Sequence, residues 1–256
     1  MSYVLKRTGP LAVAALALGI SLPAAGTTCP ASCEWGYGPG VGPATWGATC
    51  CPVCDGASQS PIDIRPTDAS AGDLGPLRLN YRESHLELSN DGRTLVVTDE
   101  LEPGANYLEL GDRRWDLTQF HFHSLSEHTI DGEHFPLEIH FVHRRTSYDL
   151  AVIAVMVEEG PRKPAFNPLW NSLPADESVA ARTVILNPRR LIPGQLAYYT
   201  YRGSLTEPDC AEVVTWFVLR KPVPMSSEQI EAFRAIFESN YRPVQPLNGR
   251  SVLTGE

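Results

Sequence analysis

Polar and apolar residues alternate along much of this chain with a period of two, the mark of strands that bury one face. The pattern predicts short strands over residues 78–81, 85–89, 94–98, 106–110, 116–123, 137–143, 149–157, 195–203 and 213–219. Within 149–157 the run LAVIAVMV is almost wholly apolar, so this strand should sit in the middle of a sheet with both faces covered. Turn residues separate the segments, among them Asn90-Asp91-Gly92 and Asp131-Gly132. Helical spacing is rare. Residues 226–238 begin with a capping serine and put Ile230, Phe233 and Phe237 on one face, and 167–173 read as a second, short helix. These elements predict a mainly β (α+β) fold: a single domain with a large twisted, mostly antiparallel central sheet and a few short peripheral helices. No repeat or Pro/Ser-rich linker divides it.

The N-terminus follows another rule. Lys6 and Arg7 precede an apolar stretch from Leu11 to Leu22, and Pro23-Ala24-Ala25-Gly26 supplies small residues for cleavage. Residues 1–26 therefore read as a secretory signal peptide, the stretch being short for the alternative, an uncleaved membrane anchor. Residues 27–256 are then the single domain, opening with a Gly/Pro/Cys-rich arm over 27–58. Export to the periplasm or beyond makes disulfides the first reading of the six cysteines. Cys29, Cys33, Cys50, Cys51 and Cys54 are poorly spaced for a zinc ribbon. A bridge between adjacent Cys50 and Cys51 is strained, so at least one of Cys29 and Cys33 should pair with one of Cys50 and Cys51.

Composition narrows the partners. At 43% hydrophobic and 20% charged, the chain has the means to bury a core and is not disordered. A net charge of −9 and a pI near 5.3 argue against nucleic acid and against an anionic membrane surface. A small-molecule substrate fits better, with no membrane contact after signal cleavage and a monomer or homodimer as the assembly.

The chemistry is carried by histidine. Five of the seven histidines lie between 121 and 140. On a strand, Gln119, His121 and His123 share one face, with Phe120 and Phe122 on the other. Glu138, His140 and Val142 share a face in the same way, and a turn at Asp131-Gly132 brings the two strands side by side. His121, His123 and His140 then converge. Three neutral imidazoles suit Zn²⁺ in a catalytic site that keeps one position open. Gln119 and Glu138 each precede a ligand by two residues, where an acceptor fixes the tautomer of the coordinating ring. His143 faces away from His140 and reads as structural. His128 and His134 receive no role.

In these motifs the chain resembles the alpha class of carbonic anhydrases, in particular their exported bacterial forms. The likeness runs from Trp35 to about Arg250. It rests on WGYG at 35–38, QSPIDI at 59–64, QFHFH at 119–123, SEHTIDG at 126–132, EIHFVH at 138–143, YYTYRGSLTEP at 198–208, VTW at 214–216 and NYRPVQPL at 240–247. The resemblance implies reversible hydration of carbon dioxide to bicarbonate and a proton, by attack of a zinc-bound hydroxide, with Zn²⁺ on His121, His123 and His140. It implies that Thr206 orients the hydroxide and that Glu127 accepts the Thr206 hydroxyl proton. It implies an apolar wall of Val142, Val152, Leu205, Val214 and Trp216 beside the metal, and a Cys54–Cys210 disulfide. Small-ester hydrolysis is an expected side reaction. A family member that has lost its metal and only binds is the alternative, against which all three ligands, Thr206 and Glu127 stand.

Two positions depart from the family pattern, and with Tyr37 they bear on the proton path or on the pKa of the metal's water. Arg93 follows the Asn90-Asp91-Gly92 turn, where many members carry a proton-shuttling histidine. Arginine stays protonated and accepts nothing, so proton export should run through water and buffer. Glu207 follows Thr206, where the family more often has a small or neutral residue. Its carboxylate would raise the water pKa, accept a proton, or turn out to solvent.

Overall fold

Residues 150–157 are buried along their whole length, which makes the strand Asp149–Glu159 the spine of the molecule. The computed structural model describes residues 29–30, 33–99 and 103–256. The predicted signal peptide lies outside them. Around the spine runs a mixed sheet of 13 strands among the described residues. From one edge its main path is Arg182–Leu186, Ser84–Asn90, Leu95–Thr98, Arg113–His123, Leu137–Thr146, Asp149–Glu159, Val214–Leu219, Tyr198–Gly203, Leu253–Gly255 and Ser70–Ala71. Most neighbours are antiparallel. The spine itself pairs in parallel with Val214–Leu219 and Val223–Met225, and Leu253–Gly255 pairs in parallel with Ser70–Ala71.

Alternation sorts the side chains into two separate cores. One face buries Phe120, Phe122, Ile139, Phe141, Ile153, Val155 and Phe217. The other buries Val142, Val152, Ala154, Trp216 and Val218, together with Ile62 and Ile64. The predicted ligands His121, His123 and His140 share this second face with Val142, Val152 and Trp216.

The predicted elements recur with shifted ends. The strand expected at 116–123 begins at Arg113, and that expected at 137–143 continues to Thr146. Arg182–Leu186 and the short strands Ser70–Ala71 and Leu253–Gly255 were not legible, being short pieces at the sheet margins. The helix expected over 226–238 is regular only over Ser227–Arg234, with the Ser226 hydroxyl accepting from the Gln229 amide. It then tightens: the amides of Ile236 and Phe237 both reach the Phe233 carbonyl. Phe237 thereby stays buried against Phe233, while the chain turns towards Asn240, whose amide donates to the Ser124 carbonyl. The second expected helix is the single turn Asn167–Trp170.

The arm is pinned by three disulfides: Cys29–Cys51, Cys33–Cys50 and Cys54–Cys210. Both adjacent cysteines thus bridge outward, and the zinc-ribbon reading is excluded because every one of its ligands is oxidised. No helix among the described residues is long and apolar enough to cross a membrane.

Candidate metal centre and its cleft

Strand register builds the site. Pairing of Arg113–His123 with Leu137–Thr146 sets His121 opposite His140 and Gln119 opposite Val142. The next two strands place Val152 beside Val142 and Trp216 beside Val152. Two cross-strand rows result on the same face. One holds His121 and His140; the other holds Gln119, Val142, Val152 and Trp216. Same-face positions along a strand repeat about every 7 Å, so an apolar shelf lies directly beside the imidazoles. The turn between the two histidine strands uses Asp131 and Gly132 at φ 52° and 82°, a left-handed pair that Gly132 adopts without steric cost and that aspartate is among the few other residues to tolerate.

His121, His123 and His140 bring ligand atoms within 4.8 Å of one another. In each ring one nitrogen is already committed to an acceptor. His121 Nδ1 lies 2.8 Å from Gln119 Oε1, His123 Nδ1 lies 2.7 Å from the Asn240 carbonyl oxygen, and His140 Nε2 lies 2.7 Å from Glu138 Oε1. An acceptor on one nitrogen puts the proton there and leaves the lone pair on the other. Nε2 of His121, Nε2 of His123 and Nδ1 of His140 are therefore the free bases. Burial holds the His121 ring well below the ordinary imidazole pKa, helped by its two imidazole neighbours. It takes His140 down to about 4 against the opposing pull of Glu138. The His121 and His140 rings therefore carry lone pairs at neutral pH.

His123 shows that these residues fit a metal ion. Its ring is fully buried, and Nε2 has no hydrogen-bond partner. An orphaned buried polar atom costs about 1–3 kcal/mol, a cost removed when a cation takes the lone pair. Three imidazole donors suit Zn²⁺ among the common ions.

Beneath the rings lies a buried polar floor. Glu138 accepts from the backbone amides of Glu127 and His128, at 2.7 and 2.8 Å, and from His128 Nδ1 at 2.7 Å. Burial alone would raise this carboxyl, but His128 and His140 outweigh it and hold the group well below the usual range. His128 passes the chain on to the Tyr201 hydroxyl, 2.7 Å away. Glu127 Oε1 accepts from the Arg242 amide at 2.7 Å, and Oε2 lies 3.5 Å from His123 Nε2 and 3.8 Å from His140 Nδ1. Burial raises Glu127 to about 8, against the opposing influence of the nearby Thr206 hydroxyl.

Above the floor, a cavity of about 210 Å³ is lined by His121, His140, Thr206, Glu207, Val142, Val152, Leu205 and Trp216 among others. Leu150, absent from the expected wall, also lines it. Val214 is buried in the apolar cluster that backs the wall. Glu207 is half-buried, and its Oε1 accepts from the Tyr37 hydroxyl at 3.2 Å, so its side chain turns along the cleft towards the arm and not out to solvent. Arg93 stacks its guanidinium 4.1 Å from the Trp35 ring centroid and donates from Nε to the Trp35 carbonyl. His143 is buried on the opposite face, against the Tyr81 hydroxyl and the Ala151 carbonyl, as expected of a structural residue.

Sequence reasoning misses His128, Tyr201 and Asn240. His123 has another histidine two positions before it, so its acceptor had to come from elsewhere. A backbone carbonyl 117 residues away leaves no signal in side-chain pattern. His128 lies in an irregular stretch where periodicity is silent.

Comparison with known proteins covers most of the chain. The family model for eukaryotic-type carbonic anhydrases matches residues 41–256. A carbonic anhydrase of Pectobacterium carotovorum is 39% identical over 251 residues, covering 96% of this chain and 99% of that protein. One from Nostoc is 38% identical over 232 residues, covering 86% and 85%. The solved alpha-carbonic anhydrase of Thermovibrio ammonificans, in complex with the inhibitor sulfanilamide, superposes with a TM-score of 0.81 at 38% identity. It covers 86% of this chain and 99% of its own.

Proposed function

The chain belongs to the alpha-carbonic anhydrase family and is a carbonic anhydrase, and from that premise we propose that it hydrates carbon dioxide with a single zinc ion on His121, His123 and His140. The observation that carries the proposal is the trio of buried rings, each pinned by one nitrogen, with the other three nitrogens turned on a common point. Zinc in such a site lowers the pKa of a coordinated water to ~7 and so supplies a nucleophile at neutral pH, carbonic anhydrase being the standard example of the effect.

The protein's own residues do the rest. Gln119, Glu138 and the Asn240 carbonyl hold the three rings in one tautomer and one orientation. Thr206, donating its hydroxyl proton to Glu127, has lone pairs left with which to accept. It therefore selects a protonated oxygen and aims that oxygen's own lone pair at carbon. Glu127 must be ionised for this, and a cation among the imidazoles beside Oε2 favours the charged form against burial. Val142, Val152, Leu205 and Trp216, backed by Val214, offer an uncharged molecule a dry shelf next to the rings. Arg93 accepts no proton, so protons leave through water and buffer.

Small esters fit the same cavity and the same nucleophile, and their slow hydrolysis is expected as a side activity. Three disulfides fit an oxidising compartment, which supports export to the periplasm or the medium. The test is stopped-flow hydration of carbon dioxide before and after zinc is stripped with a chelator. Activity should vanish with the metal and return on adding zinc. Hydration that survives complete metal removal would contradict the proposal.

A further inference from the structure

Glu207 is the feature of the cleft that the hydration chemistry does not use. Its carboxyl lines the same cavity as His121, His140 and Thr206. The Tyr37 hydroxyl holds Oε1 at 3.2 Å, and Tyr37 is itself packed edge-on against Trp35 and Trp46 in an arm stapled by Cys29–Cys51 and Cys33–Cys50. The carboxyl is thus a placed group. The charged and titratable groups that face it are Tyr37 from the arm, Asp91 from the turn after Ser84–Asn90, Glu127 from the floor and His123 from the ring trio. Two of these are acidic. Arg93, in the adjoining cavity that Trp35, Tyr37 and Asp91 also line, is committed to Trp35 by stacking and by its Nε bond.

We infer that Glu207 is a specificity-determining residue that sets a negative charge in the cavity lined by His121 and His140, so that anions are held weakly while neutral carbon dioxide enters unhindered. The inference rests on the zinc site proposed above. A carboxylate lining the same cavity as His121 and His140 repels bicarbonate and inorganic anions alike, through a partly desolvated medium where like charges weigh heavily. Carbon dioxide carries no charge and meets only the apolar shelf. Product release is favoured and inhibition by ambient anions suppressed. Burial raises Glu207 to about 7, so the charge is fully present somewhat above neutral pH.

The test is isothermal titration of thiocyanate into zinc-loaded protein at about pH 8.5, comparing the parent chain with Glu207→Gln and Glu207→Ser, with zinc content measured in each. Gln keeps the shape and Ser empties it, so a shared effect reports the charge. Both variants should bind thiocyanate about tenfold more tightly than the parent, as expected for the loss of one nearby like charge. Zinc-loaded variants that bind thiocyanate no more tightly than the parent would overturn the inference alone. A parent chain that holds no zinc would instead contradict the underlying metal site, and the inference would fall with it.

Discussion

Glu138 satisfies four donors with two oxygens: the amides of Glu127 and His128, the His128 ring and the His140 ring. A carboxylate is the side chain suited to this, since it only accepts and has lone pairs enough for all four. Replacing it with an amide keeps the shape but turns one oxygen into a donor that faces donors. Glu138→Gln should therefore free the His140 ring and weaken zinc binding by about 10–100-fold, the usual effect of losing an acceptor behind a metal ligand. Competition with a chelating indicator dye reads this directly. Unchanged zinc affinity would mean that the ring is oriented by packing against Trp216, 4.8 Å away, and not by Glu138.

The strand Leu137–Thr146 shows how one element serves two ends. Its cleft face carries Glu138, His140 and Val142, and its other face carries His143 into the apolar core. Burial lowers His143 to about 4. Above pH ~6.5 the ring is neutral in folded and unfolded chain alike, and it contributes no pH dependence. As pH falls from 6.5 towards 4, the unfolded chain takes up a proton that the folded one refuses, so stability drops by up to about 3 kcal/mol across that window. Urea unfolding of the parent and of His143→Phe at pH 7, 5.5 and 4.5 tests this. The variant starts less stable, having lost the bonds to Tyr81 and Ala151, but its curve should fall less steeply. Parallel curves would contradict the assignment.

That strand also shows what is legible in a sequence. Alternation at 119–123 and 138–142 reveals which residues share a face, because the pleat has a period of two. It does not reveal register, which depends on the irregular connection from Ser124 to Pro136 and brings His121 opposite His140. It is equally blind to an acceptor that is a backbone atom, as at Asn240, and to margins such as Arg182–Leu186, where exposed Ile185 obscures the pattern. Roles for Thr206 and Glu127 came from resemblance alone, since they lie 79 positions apart on irregular backbone.

At the scale of the molecule, segments far apart in the chain meet under the cleft. The Arg242 guanidinium is buried and donates to Gln59 Oε1, the Ser60 carbonyl and the Cys54 carbonyl, while its amide holds Glu127. Gln59 in turn donates to the Cys210 carbonyl, and Cys54–Cys210 closes the loop that carries Thr206 and Glu207. The arm, the Thr206 loop and the C-terminal segment thus brace one another around a rigid sheet. Such bracing matters if the fold exists to hold three rings on one ion, and metal analysis of the purified chain tests that claim most directly. The account predicts one zinc per chain in the parent and only traces in His121→Ala that remains folded. A parent chain without stoichiometric metal, or a His121→Ala variant that keeps it, would contradict the account.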